Sequence, residues 1–384
     1  MVLRCCLAST LLAGCSFQIS ASSPGDDAAI DASTRDGTRN DSTTGADAPC
    51  SWALHFDACS IAPPPPVGVV LTAGSWIFNT DTGLFVPTPL TGAFRTSDTT
   101  QSGSGPAVVL VLDSFVVQSG AVLRVTGSKP LIVGAWTTIS VNGVIDAGTR
   151  RNGLAGAGSL TATCAPDGAG PGAATDAGGG GGGGGLRGAG GTGGVGDGAA
   201  GGSAGLARAV PSFVRAGCSG ASGGLTGFGV GGPGGGAIEL AARTSISITG
   251  KVTAGGAGGQ GGGQTGIKGG GGGGGSGGFI GIDSPALVLG SNAELVANGG
   301  GGGGGGNGLA QPGKDSIGDS GSATGGSGAI TGGAGSSMST LVGETPGFSG
   351  DGGAGAGGGA GFILVRAPNL DDQGALISPS KQPQ

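Results

Sequence analysis

The 384-residue chain has no tyrosine, one histidine and two methionines, and aromatics make up only 4% of it. An imidazole-based active site or a carbohydrate-stacking face is therefore thinly equipped. Charged residues are also scarce, at 10% with a formal net charge of −6, and no basic run occurs. Nucleic acid, which demands a cluster of cations against its phosphates, is excluded as a natural partner. No apolar run reaches the ~20 residues a membrane-spanning helix needs.

Glycine fills the space left by these absences. Of 99 glycines, 15 precede residue 151, which leaves 99 − 15 = 84 in the rest of the chain. Glycine is costly to order and offers no side chain to bury, so an ordinary hydrophobic core is not available there. The strict Gly-X-Y period of collagen is absent.

At the N-terminus, Arg4 provides a positive n-region, residues 5–13 a short apolar h-region, and Leu12-Ala13-Gly14-Cys15 follows. This arrangement resembles a bacterial lipoprotein signal, whose box places small residues before the cysteine that receives diacylglycerol. The resemblance implies cleavage after residue 14, lipidation of Cys15 as the membrane anchor and, from the non-acidic Ser16, an outer-membrane address. Residues 20–49 mix Ala, Asp, Ser, Thr and Gly and read as a disordered tether. Such a tether has a reach of roughly 30 Å.

With Cys5 and Cys6 in the signal and Cys15 committed to lipid, Cys50, Cys59, Cys164 and Cys218 remain. Export into an oxidising compartment makes disulfides the default, and four cysteines allow three pairings. The sequence-local one, Cys50 with Cys59 and Cys164 with Cys218, is favoured. Neither spacing is that of a zinc site, and no metal or cofactor is expected.

Short β-prone runs begin after the stiff Pro63 to Pro66 spacer, at residues 67–71 and 76–78, with a turn over 79–83. Residues 108–112, 115–117 and 122–125 form a triplet of runs, and 131–133, 139–141 and 144–146 repeat it. From Val109 to Leu131, Phe115 to Ile139 and Val122 to Val144, the offset stays near 22 positions. Three strands per such period match one coil of a parallel β-helix, with Ile132, Ile238, Ile280 and Ile363 at equivalent places in successive coils. A stack of hairpins is the alternative, because Asn142-Gly143 is a strong hairpin dipeptide.

Glycine-rich stretches at 149–234, 256–277 and 300–359 separate the later copies. Structureless loops of this length are rare in compact domains. They are either mobile fringes or extended threads packed side by side, each satisfying its backbone groups on its neighbours. In composition the tracts resemble the polyglycine-II layers of some phage adhesins and antifreeze proteins, a resemblance that carries no binding residue across.

The sequence matches no catalytic or binding motif. No GxGxxG stretch follows a strand and opens a helix, and residues 193–197 and 349–351 lack the frame of a calcium nonapeptide. Asp113, Asp146, Asp371 and Asp372 are the acids a glycoside-cleaving β-helix would draw on. Asp371-Asp372 reads as part of a terminal turn, however. His55 has no nucleophile in evident partnership and reads as a loop-packing residue. Arg150-Arg151 read as solvated corner residues.

The chain thus divides into a signal (1–14), a lipidated tether (15–49), a small disulfide loop and spacer (50–66), strand coils (67–148), a glycine-rich region with interspersed coils (149–379) and a tail (380–384). The LAGC box, the tether and the run at residues 119–148 together resemble glycine-rich, β-helix-like lipoproteins of unknown function from free-living bacteria. The expected fold is all-β, a right-handed parallel β-helix-like solenoid with long glycine-rich, polyglycine-II-like insertions. The expected function is non-enzymatic, structural or adhesive, at the cell envelope, with a surface glycan or envelope component as partner. The alternatives are a polysaccharide lyase or hydrolase, and a surface coat with no partner.

Overall fold

The computed structural model describes residues 52–383 except 59, 88–89, 91–92, 102–104, 154, 161–163 and 166–167. The signal, the tether, Cys15 and the Cys50–Cys59 pairing lie outside the described residues. The described chain is all-β with largely parallel sheets.

Strands arrive in threes. After β1 (Val69–Leu71), β2 (Gly74–Asn79), β3 (Leu84–Val86) and β4 (Phe94–Thr99) come five triplets. They are β5 (Ala107–Leu112), β6 (Phe115–Val117) and β7 (Ala121–Thr126); β8 (Leu131–Ala135), β9 (Thr138–Val141) and β10 (Val144–Asp146); β11 (Ala237–Ala242), β12 (Ser245–Ile248) and β13 (Lys251–Thr253); β14 (Phe279–Asp283), β15 (Ala286–Leu289) and β16 (Glu294–Val296); and β17 (Phe362–Arg366), β18 (Asn369–Asp372) and β19 (Leu376–Ser378). A two-residue β20 (Gln382–Pro383) pairs with β17, so the expected tail adds a short strand.

Each triplet contributes one strand to each of three sheets, in the orders β1-β6-β9-β12-β15-β18, β19-β16-β13-β10-β7-β2-β3 and β20-β17-β14-β11-β8-β5-β4. Among the described residues, antiparallel pairing of strands is confined to β2 with β3 and β4 with β5. Neither β3 nor β4 was anticipated from the sequence. The hairpin alternative fails at residues 142–143, because β9 and β10 lie in different sheets.

Equivalent residues stack into columns. In the first sheet Phe115, Ile139, Ile246 and Leu287 are in register, and in the second Leu123, Ile145, Val252, Leu295 and Ile377. In the third sheet the column is Val108, Leu131, Ile238, Ile280 and Ile363. All three columns belong to one hydrophobic interior.

The third column corrects the sequence register by one residue. Leu131 pairs with Val108 rather than Val109, and Ile132 pairs with Glu239 rather than standing beside Ile238. A one-residue slip moves a side chain to the opposite face. Val109 and Ile132 accordingly join a second cluster with Phe56, Phe279, Phe362 and Leu364 on the outer face of that sheet. The expected period missed this because the sheet is apolar on both faces, so its strands show no alternation.

Long runs within the glycine tracts are buried and hydrogen-bonded to one another, which selects packed threads over mobile fringes. Residues 178–185 are buried throughout. Gly178, Gly181 and Gly184 donate their N–H groups to the carbonyls of Lys268, Gly271 and Gly274. Gly179 and Gly182 donate to Ala173 and Gly170, and Gly180 and Gly183 to Gly194 and Gly191. Their carbonyls accept on the same three-residue step, from Gly353, Ala356 and Gly359, from Gly224 and Ala221, and from Gly202 and Gly205. One thread therefore meets six others, and the N–H and C=O groups of residues 178–184 are all satisfied with no sheet and no helix.

Steric limits explain the composition. A Cβ on Gly180 would sit 1.8 Å from the Ala354 carbonyl oxygen, and one on Gly181 would sit 2.0 Å from that of Ala221. The threads also continue the strands. Gly229, Gly232 and Gly235 donate to Gly270, Gly273 and Ser276 just before Ala237 pairs with Phe279. Base rates for long loops presume backbone left to water, and here the backbone is consumed internally.

Candidate functional site

Residues 52–58 cover the outer face of the third sheet, where four side chains from distant parts of the chain converge. Glu239 lies on β11, Asp283 on β14 and Arg366 on β17, and Asp283 and Arg366 are in register. His55 comes from the covering segment. Its Nδ1 meets Glu239 Oε2, and the two side chains are 3% and 0% exposed. Arg366 Nη2 contacts Asp283 Oδ2, whose side chain is 3% exposed.

The same groups hold the segment's main chain. Leu54 N–H donates to Asp283 Oδ2 at 3.0 Å, and Arg366 Nη2 donates to the Trp52 carbonyl at 3.1 Å. Two glycines in the sheet make room. A Cβ on Gly134 would lie 2.7 Å from the Phe56 ring, and one on Gly281 would lie 3.0 Å from Glu239 Cγ. Aromatic contacts close the rim, with Trp52 edge-on to Phe56 at 5.4 Å and to Trp136 at 6.3 Å. His55 stands edge-on to Phe279 at 6.3 Å.

Burial dominates the electrostatics. Desolvation pushes the Glu239 carboxyl above its ordinary range, against the opposing pull of His55, and Glu239 Oε1 has no hydrogen-bond partner. Desolvation likewise raises Asp283, although Arg366 and the Leu54 N–H favour its anion. A buried carboxylate is tolerated only when paired, so each of these groups depends on the segment above it.

His55 is thus the loop-packing residue expected, with an unforeseen acidic partner 184 residues away. A signal for the cluster was present in the sequence. AIELAA, FIGID and FILVR are apolar strands each carrying a single acid or base. Asp283 and Arg366 are in register and Glu239 pairs with Gly281, two residues from Asp283, so the repeat brings all three charges onto one face.

The other acids do not converge. Asp371 and Asp372 lie on β18, an exposed strand rather than the expected turn, where Asp371 accepts from Gln373 and Asp372 meets Lys381. Asp146 is in the second sheet and pairs with Arg124 at 2.7 Å and Arg150 at 3.0 Å. Asp113 lies between β5 and β6, and its carbonyl accepts from Thr137.

Arg150 and Arg151 are not solvated corner residues. Arg150 donates to the Ser316 carbonyl at 3.0 Å, Arg151 reaches that of Gly313, and the Arg151 N–H donates to Asp315. Cys164 and Cys218 form a disulfide with a Cα separation of 5.8 Å.

Two adjoining surface hollows of about 490 and 420 Å³ share Ala334 and Glu344, and Glu344 is the one titratable group on their walls. Among the described residues no three His, Cys, Asp or Glu side chains are placed to hold a metal ion. Comparison with family models, curated proteins and solved structures finds no match for the chain.

Proposed function

We propose that this protein is a non-enzymatic, lipid-anchored component of the bacterial cell envelope with a structural or adhesive role. In this reading the triplets wind as a right-handed parallel β-helix, the glycine threads extend it as a polyglycine-II-like bundle, and Cys15 carries the lipid at the outer membrane. A surface glycan or another envelope component is the partner.

The observation that carries the reading is the sixfold neighbourhood of residues 178–185. A bundle that spends its backbone on itself and has no room for side chains inside is suited to bearing shape rather than to chemistry. The strand-rich part feeds it in register, so stiffness passes from one to the other.

Purified protein incubated with a panel of polysaccharides is expected to release no products and to be retained on envelope glycans or whole cells. Cleavage of any of them, lost on Asp371→Ala or Asp146→Ala, would sink the proposal in favour of a lyase or hydrolase. Absence of any retention would favour an inert coat.

A further inference from the structure

We infer that the outer face of the third sheet around Glu239, Asp283 and Arg366 is a peptide-binding site, filled here by the chain's own residues 52–58 and open to the same segment from a second copy. This goes beyond the envelope role and does not depend on it.

The recognition is that of a bound peptide. Asp283 accepts from a main-chain N–H, Arg366 donates to a main-chain carbonyl, Glu239 takes a basic side chain, and the notch at Gly134 takes an aromatic ring. A segment that served only as core lid would be held better by apolar groups, since a buried ion pair rarely outdoes a hydrophobic replacement. What charge provides is a face that tolerates water once the segment leaves. Arg and aromatic side chains around a central polar anchor are also the composition of interfaces rather than of cores.

The connection permits departure. Pro63 to Pro66 lie between the segment and β1, a stiff spacer that can swing the segment outward as a unit. Exchange between two copies preserves every contact described, which is why a second copy is the occupant chosen.

The test uses the full chain carrying His55→Ala and Phe56→Ala, so that its own segment cannot dock. A labelled peptide of residues 52–58 is expected to bind this variant saturably and the wild-type chain at least about tenfold more weakly, because the resident segment competes at high effective concentration. Adding Glu239→Gln and Asp283→Asn should abolish binding. Concentrated wild-type protein should sediment partly as a dimer, and the docking-deficient variant as a monomer.

No peptide binding by a folded variant, or binding that survives loss of both carboxylates, overturns the site. A wild-type chain that stays monomeric while the peptide binds overturns the second copy as occupant. Should the variant fail to fold, hydrogen exchange at the Leu54 amide of the wild type decides. Faster exchange with excess peptide supports the site, and unchanged exchange refutes it.

Discussion

Glu239 Oε2 meets His55 Nδ1 across 184 residues of sequence, with both side chains sealed from solvent. Removing the imidazole strands a buried carboxylate. His55→Ala is expected to destabilise the protein by about 3–5 kcal/mol, the cost typical of breaking a buried pair from one side. Adding Glu239→Leu should recover much of that loss, as a urea melt of the single and double variants will show.

Acidity should tighten the same cluster. Glu239 and Asp283 both have folded-state values raised by burial, so the folded chain holds their protons more firmly than the unfolded one. That contribution is complete below the ordinary carboxylate range, about pH 4, and is lost as pH rises through the raised values. Asp372 works in the opposite sense, because Lys381 lowers it, so its contribution is lost at low pH. The pair is largely exposed and its effect is small. Unfolding free energy measured from pH 4 to 8 should therefore fall for the wild type and change less for Glu239→Gln.

Glycines that look alike in sequence should differ sharply in tolerance. Gly180→Ala drives a Cβ to 1.8 Å from a carbonyl oxygen, while Gly350 has nothing within 4 Å of the same atom. The first should cost at least the ~1–3 kcal/mol of an overpacked core. Gly350→Ala should be neutral or stabilise by about 0.4–1 kcal/mol through the unfolded chain. Thermal melts of the two variants separate these outcomes.

The Cys164–Cys218 bridge closes a separation of 54 residues within the first glycine-rich excursion. The chain-entropy relation assigns such a loop about 4 kcal/mol. Reduction by dithiothreitol, or Cys164→Ser with Cys218→Ser, should lower the melting temperature accordingly. An unchanged melting temperature would mean that the first excursion is already ordered in the unfolded ensemble.

Much of the strand scaffold was legible, and for a physical reason. Phe115 with Ile139 and Val122 with Val144 were placed correctly because the first and second sheets expose one face and alternate. Val109 and Ile132 were misplaced by one because β5 and β8 are buried on both faces, which erases the period-two signal. The order of the glycine tracts was left undecided, since a thread of one residue type carries no pattern that names its neighbours.

The cluster beneath residues 52–58 was the least legible part. Its contacts with that segment span up to 314 residues, and only the register of β11, β14 and β17 brings its charges together. Each charge, taken alone, is a single exception in an otherwise apolar strand.

Bonds from residues 178, 181 and 184 reach 268, 271 and 274 in a strict three-residue step. A thread lengthened by a single residue would move every later N–H out of that step and aim it at the wrong neighbour. Such segments can grow or shrink only by whole steps. A gene that encodes them can slip by nine bases without harm, whereas a slip of three or six keeps the reading frame and still misaligns the bundle.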